Sequence, residues 1–466
     1  MQHITIIGGG ISGLTVAYDL VQFGFDCSLI EQRTHLGGVI KTVQVEDCIL
    51  EDGPDSFLAQ KPWALDLIRE LGMEDQVIGS NDHLRRTFIL RAGRMIPLPD
   101  GMYFMIPTKI WPVLTTRLLG WKTKAKMMQE WFRRPTAARA NEERSVATFM
   151  QDHFGKEVTR YLAQPMLAGV YGGSPERLSA DAVLPRLVEL EKQYGSVSRG
   201  ILQTDASSKK ESIHRKNSEP LFLSLKNGMQ QLTDHMSRRL SGRIRRITGS
   251  AKTLKKDRDG FHTVVEGQKI SSDQVIIATP AYAASNLLQN LDPETSNHLK
   301  TIPYSSSMTV NLLYRRPNFG HALEGFGFLA PEVEQTLIAA CTWVNTKFQH
   351  RAADDYIILR AFISHRQTTY VSSMSDEDIA NQVHNELSQI MGFTTKPTTW
   401  RIARWSRAMA QYEIGHRRCV DKIETRLNRL EGLHLTGNAY EGIGIPDCIR
   451  RSRKIAQRIR ENLAAT

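Results

Sequence analysis

The 466-residue chain is poor in cysteine. Cys27, Cys48, Cys341, Cys419 and Cys448 are scattered, odd in number and form no CxxC pair. Free thiols in a reducing compartment are expected, with neither a disulfide framework nor a cysteine metal site. No apolar run is long and uninterrupted enough for a membrane-spanning helix. The first apolar run has no charged leader and is broken by Gly8, Gly9, Gly10 and Gly13, which argues against a secretory signal. A Ser/His/Asp set, paired catalytic carboxylates and metal-ligand spacings are also missing, so no side chain is assigned as catalytic. Acidic residues are in deficit: 49 Asp and Glu stand against 60 Lys and Arg, a net charge of +11. The excess gathers in 109–144, 199–216, 238–258 and 450–460. No helix-turn-helix, RRM or zinc-finger pattern accompanies it, which argues against nucleic acid and leaves anionic lipid or an acidic small molecule. A cytoplasmic location is expected, with the inner membrane face as its peripheral variant.

What is present begins at the N-terminus. The apolar run His3–Ile7 is followed by Gly8-x-Gly10-x-x-Gly13, then by Leu14, Ala17, Tyr18 and Val21 at helical spacing. A second apolar run from Cys27 ends at Glu31. This is strand, tight turn, helix and strand, the setting that a dinucleotide fingerprint requires. Gly8 permits the turn, Gly10 admits the pyrophosphate, Gly13 lets the helix pack closely, and Glu31 suits an adenosine ribose. The motif occurs once, where a nicotinamide-dependent flavoprotein reductase would need two. FAD is therefore expected. "QVIIATPAYAA" reads as a further strand of the same sheet. "LTGNAYEGIGIPDCI" places a helix start at Pro446-Asp447, whose N-terminal dipole would favour negative charge near N1 of a reduced flavin.

Between these ends, "LRRTFILRAGRMIPLP" predicts a hairpin around Ala92-Gly93. Residues 145–170, 180–194 and 375–392 read as helices, 243–278 and 301–365 as strand-rich, and 195–218 as a mobile surface loop. With 41% hydrophobic residues the chain can bury a core of two or three intertwined domains. The fold class expected is α/β (α+β): a Rossmann-like FAD-binding domain (1–60, 220–285, 400–466), an interleaved sheet-containing substrate domain (61–95, 286–399) and a helical, membrane-associating domain (96–219).

Glu31 with the doublet Gly37-Gly38, "LEDGPDSF" (50–57), "GVYGGSPERLS" (169–179), "QYEIGH" (411–416) and "GNAYEGIGIPDCI" (437–449) resemble the bacterial FAD-dependent porphyrinogen oxidases of haem synthesis. These belong to a larger group that includes monoamine oxidase and phytoene desaturase. The resemblance covers nearly the whole chain. It implies oxidation of protoporphyrinogen IX or coproporphyrinogen III in three two-electron steps, with O2 as acceptor. Other haem-synthesis enzymes are implied as partners; an anionic membrane surface is expected from the residues themselves, since 102–135 sets Tyr103, Phe104, Trp111, Trp121, Trp131 and Phe132 among Lys109, Arg117, Lys122, Lys124, Lys126, Arg133 and Arg134. It also implies FAD contacts at Gly8, Gly9, Gly10, Ile11, Ser12, Gly13, Glu31, Gln32, Gly38, Gly53, Pro54, Asp55, Ser56, Ala251, Trp405, Ile443, Gly444 and Ile445. Val39 stands where the family carries a basic residue. For substrate, the resemblance implies Lys61 against a propionate, the Gly169 carbonyl facing the tetrapyrrole and Phe348 against a pyrrole. His416 is expected to be structural. Two alternatives accompany this reading: a flavin amine oxidase, with Tyr440 in an aromatic cage, and a flavin-binding scaffold without turnover.

Overall fold

The computed structural model describes residues 2–135, 142–211 and 220–464. Five parallel strands form one sheet in the order Arg245–Thr248, Asp26–Glu31, His3–Ile7, Gln274–Ile277 and Leu433–Leu435. Ile4, Ile6, Cys27, Leu29, Val275, Ile276 and Leu435 are all buried, as parallel strands covered on both faces require. Helices Ile11–Gln22, Gln230–Leu240 and Ile445–Ala464 share one apolar cluster with one face. The other face meets a three-stranded antiparallel sheet (251–272) and the helices Ala281–Leu288 and His416–Leu427. The carboxyl ends of the parallel strands thus open at one edge, where ligands of such sheets sit.

A seven-stranded sheet lies beyond that edge. Its order is Thr399–Ala410, Tyr304–Arg315, Tyr356–Ile363, Ile338–Trp343, Gly327–Leu329, Thr87–Arg91 and Arg94–Pro97. The last two strands are the hairpin expected around Ala92-Gly93; both turn residues have positive φ, 51° and 71°, as a two-residue type I′ turn demands. Residue 400, expected to open the final FAD-binding segment, lies inside a strand of this second sheet. The helix Asp376–Met391 covers one face; Ser375 caps it by accepting the Asp378 N–H, three acidic residues fill its first turn, and Gly392 ends it in the left-handed region.

A third cluster joins helices Val146–Phe154, Gln164–Tyr171 and Pro185–Tyr194. The surface loop expected over 195–218 is instead a helix, Val197–Glu211, with 212–219 outside the described residues. Val197 and Ile201, one turn apart, are fully buried in this cluster. The buried Glu130 carboxylate accepts the Val197 N–H at 2.6 Å and the Ser196 hydroxyl at 3.0 Å, which caps the helix from another element. Two apolar anchors and a distant cap outweigh the polar composition. No described helix is long and apolar enough to cross a membrane.

Candidate active site

The fingerprint turn is shaped by contacts too close for a side chain. Gly8 has φ +111°, and a Cβ there would stand 2.8 Å from the Ala278 carbonyl oxygen. A Cβ on Gly13 would stand 1.8 Å from the Gly8 oxygen, so helix and strand touch backbone to backbone. Gly10 differs: its nearest neighbour would be Gly38 Cα at 3.9 Å, and the space above it is open cavity. Glu31 ends its strand with one carboxylate oxygen accepting the Gly9 N–H at 2.7 Å and the other the Arg33 N–H at 3.0 Å. The Gly37 N–H donates to the Gly9 carbonyl at 2.8 Å, which seats the Gly-Gly doublet against the turn.

One cavity of about 2470 Å³ runs from this turn to the face of the seven-stranded sheet. A single small-molecule pocket is typically about 300–1,000 Å³, so there is room for two ligands end to end. Gly8, Gly10, Ile11, Ser12, Glu31, Gln32, Gly38, residues 53–56, Ala251, Trp405 and residues 443–445 all line one end. Gly9 and Gly13 do not; they act through packing. Open space over Gly10, a helix N-terminus below it and a carboxylate at the neighbouring strand end fit a dinucleotide such as FAD.

The loop Glu51–Ser56 crosses this end with three carboxylates in six residues. Each is met by arginine from far along the chain. Arg401 binds Asp52 through two hydrogen bonds, 2.8 and 2.7 Å, and Lys41 lies 3.6 Å away. Arg351 lies 3.2 Å from Glu51, which also accepts from Met229 N–H and the Thr42 hydroxyl. Lys347 lies 3.0 Å and Arg360 3.6 Å from Asp55, and Arg360 also donates to the Gly53 carbonyl. Burial raises the Glu51 carboxyl against these partners. Burial also raises that of Asp55, but Lys347 and Arg360 outweigh it and hold the group well below the carboxylate range. None of the four arginine and lysine partners from 347 onward was legible from sequence, because nothing local marks them. The Trp405 indole N–H donates to the Asp52 carbonyl at 2.7 Å, which ties the tryptophan to the same loop.

The motif "QYEIGH" is an internal brace. Gln411 donates to the Tyr171 carbonyl, ending the helix that carries Gly169, and to the Ser305 hydroxyl at 2.9 Å. The Tyr412 hydroxyl donates to the Asn438 carbonyl and accepts the Gly442 N–H, both at 2.8 Å, so it shapes the loop before the C-terminal helix. His416 stacks beneath Tyr412, 4.0 Å between centroids, and burial lowers its pKa to about 4. It does not line the cavity. Tyr440 does not either: it is 4% exposed in the core, with Arg451 over its ring.

The far end is lined by Thr309, Leu329, Ala340 and Phe362 from the sheet and by Phe326 just before it, facing Leu167–Gly173 and Ala182–Leu187 from the helical cluster. Gly169 stands here with no neighbour within 4 Å of an added Cβ. Phe348 is corrected: it is 1% exposed, lies outside this cavity, and packs beneath Lys347 and Arg351 behind the acid loop. Lys347 turns toward Asp55, and its neighbour Phe348 is left on the inner side. Phe362, partly buried, faces the cavity from the sheet instead. Lys61 lines the mouth, 40% exposed in its side chain, with its ammonium 2.6 Å from Asp447 in the first turn of the C-terminal helix.

Among known proteins, the chain is 30% identical to a coproporphyrinogen III oxidase of Bacillus subtilis (strain 168), over 97% of this chain and 96% of that one. It is 29% identical to a coproporphyrinogen III oxidase of Propionibacterium freudenreichii subsp. freudenreichii, covering 100% and 92%. A crystal structure from Exiguobacterium sp. 255-15, provisionally assigned as a protoporphyrinogen oxidase, superposes with a TM-score of 0.85 at 26% identity over 99% of both chains. The model of the flavin containing amine oxidoreductases matches residues 11–460, and the chain belongs to that family.

Proposed function

We propose that this protein is an FAD-dependent porphyrinogen oxidase. The observation that carries the reading is the two-ended cavity of about 2470 Å³, which joins a dinucleotide turn to a sheet face and leaves volume for a second, large ligand. Two relatives named coproporphyrinogen III oxidase reach 30% and 29% identity, against 23–25% for those named protoporphyrinogen oxidase, so coproporphyrinogen III is the substrate to expect. Oxidation to the porphyrin removes six electrons as three pairs, and bound FAD supplies the acceptor for each pair, with O2 restoring it.

The chain's own part is binding and orientation. Gly10 to Ser12 cradle the pyrophosphate with helix amides, and Glu31 holds the ribose. Gly53 to Ser56, fixed by Arg360 and Lys347, and Ile443 to Ile445 at the C-terminal helix set the flavin end. Phe362 and Leu329 exclude water and form the bed for the pyrroles, against the Gly169 backbone. Lys61 offers three N–H donors, of which Asp447 occupies one, so it retains donors for a propionate. No side chain is assigned as general base. Tyr440, buried away from the cavity, argues against the amine oxidase cage. Purified protein should be yellow, with one FAD per chain. Anaerobic addition of coproporphyrinogen III or protoporphyrinogen IX should bleach the flavin and yield the porphyrin. Bleaching by neither, with turnover of amines instead, would overturn this reading.

A second reading concerns anionic membrane. Trp111, Trp121 and Phe132 are 74%, 75% and 79% exposed on one segment, beside exposed Lys109, Arg117, Lys122 and Arg134. Aromatic rings with flanking cations suit the headgroup layer. Lys124 and Lys126, counted among these cations from sequence, instead donate inward to backbone carbonyls. Sedimentation with anionic vesicles at low salt, lost for the variant Trp111→Ser/Trp121→Ser, tests it. Wild-type protein left in the supernatant would refute it.

A further inference from the structure

Seven described non-glycine residues have positive φ, and Arg407, at +47°, is the only one of them inside a strand. It sits where the pairing of Tyr304–Arg315 with Thr399–Ala410 shifts register. Ser305 pairs with Met409 and Ser307 with Trp405, so three residues stand opposite Ser306. The Ser306 hydroxyl accepts the Arg407 N–H at 3.1 Å and holds the bulge. Bulges of this kind re-aim side chains beside functional sites, and left-handed non-glycine backbone persists only where its surroundings impose it. Here the arginine is laid over Tyr282, with its guanidinium carbon 4.0 Å from the ring centroid. Tyr282 is itself fixed edge-on against Tyr304, 5.1 Å away, whose hydroxyl accepts the Ala281 N–H. Arg407 forms no ion pair among the described residues, and both it and Tyr282 line the cavity.

The place is the dinucleotide end. Tyr282 opens the helix that follows strand Gln274–Ile277, whose next residue, Ala278, closes over Gly8. The fingerprint offers amide donors and a helix dipole but no formal positive charge; the first turn of helix Ile11–Gln22 holds no basic residue. Arg33 is turned toward the Gly38 carbonyl and the Trp405 ring. A dinucleotide pyrophosphate carries two negative charges. We propose that Arg407, presented by its bulge and stacked on Tyr282, is the cation that binds the FAD pyrophosphate. This rests on the FAD reading above.

FAD titration of the apoprotein, followed by flavin fluorescence quenching, tests it. Glycine accepts φ +47° without strain, so Arg407→Gly removes the charge while relaxing the backbone, and its thermal midpoint should match or exceed wild type. Its dissociation constant for FAD should nevertheless rise roughly ten- to hundredfold, with a weaker salt dependence. Arg407→Lys should fall between. ADP affinity should drop with FAD affinity, and adenosine affinity should not. Unchanged FAD binding by Arg407→Gly would overturn the proposal. So would unchanged FAD binding with a raised KM for porphyrinogen, which would move Arg407 to the substrate end. Flavin bound normally without porphyrinogen turnover would instead refute the proposed activity and leave this test readable.

Discussion

Gly8–Gly13 and Glu51–Ser56 border the same end of one cavity, yet different physics holds them. The glycine turn is fixed by steric contact between backbones, with Gly13 against Gly8 and Gly8 against Ala278. The one side chain that joins it, Glu31 on the Gly9 N–H, comes from the very next strand, so the turn is set within a single strand–helix–strand unit. The acid loop is fixed by charge. Its three carboxylates are met by residues 300 to 349 positions downstream, Arg360 and Arg401 on strands of the other sheet and Arg351 on the connection leading into one. The turn belongs to one sheet; the loop couples the two. A steric device should be irreparable by a second substitution, and an electrostatic one should be repairable.

The largest effects should come from breaking that distinction directly. Arg351→Met leaves Glu51 buried and without its cation, which should cost about 3–5 kcal/mol of stability. Arg351→Met/Glu51→Leu should recover most of it, since two apolar groups replace a desolvated pair. Gly13→Ala should destabilise severely, and no single partner change should restore it. Urea midpoints of the four proteins decide the matter; an unrescued double variant would show that the loop too is held by shape.

Gly10→Val should separate binding from folding. Its side chain enters open cavity, so the denaturation midpoint of the apoprotein should stay within about 1 kcal/mol of wild type, while the purified protein should be colourless. Retained flavin would contradict the cradle.

The helical cluster offers a smaller, pH-dependent test of the electrostatic kind. Burial raises the Glu191 carboxyl, but His153 at 3.0 Å and Arg144 outweigh it and bring the pKa down to about 2. A depressed carboxylate stabilises the fold fully above its unfolded pKa, about 4.3, and loses that contribution as pH falls toward 2. Up to about 3 kcal/mol is at stake. Wild type should lose stability steadily over this window, and Glu191→Gln, weaker at pH 7, should show a flatter profile. Parallel profiles would place the acid sensitivity elsewhere.

The smallest effect belongs to Lys61→Met. Loss of one propionate partner at a half-exposed mouth should raise KM a few-fold with kcat little changed, because such a contact serves ground and transition states alike. An unchanged KM for both porphyrinogens would leave Lys61 as the partner of Asp447 alone.

The glycine turn, the hairpin at Ala92-Gly93 and the helix Asp376–Met391 follow from local sequence, because sterics, turn dihedrals and capping act within a few residues. The sequence also carried the family motifs, but not what each motif does. "QYEIGH" turned out to be a brace whose Gln411 and Tyr412 shape two other loops, and only the fold brings Tyr171, Asn438 and Gly442 to them. The tertiary structure alone decided that Val197–Glu211 is a helix, since its cap, Glu130, lies 67 residues away. It alone moved Phe348 behind the acid loop and set Phe362 on the cavity wall. Charge pairing and burial depend on which chain segments meet, and that meeting is settled by packing two sheets across hundreds of residues, a scale on which local spacing carries no record.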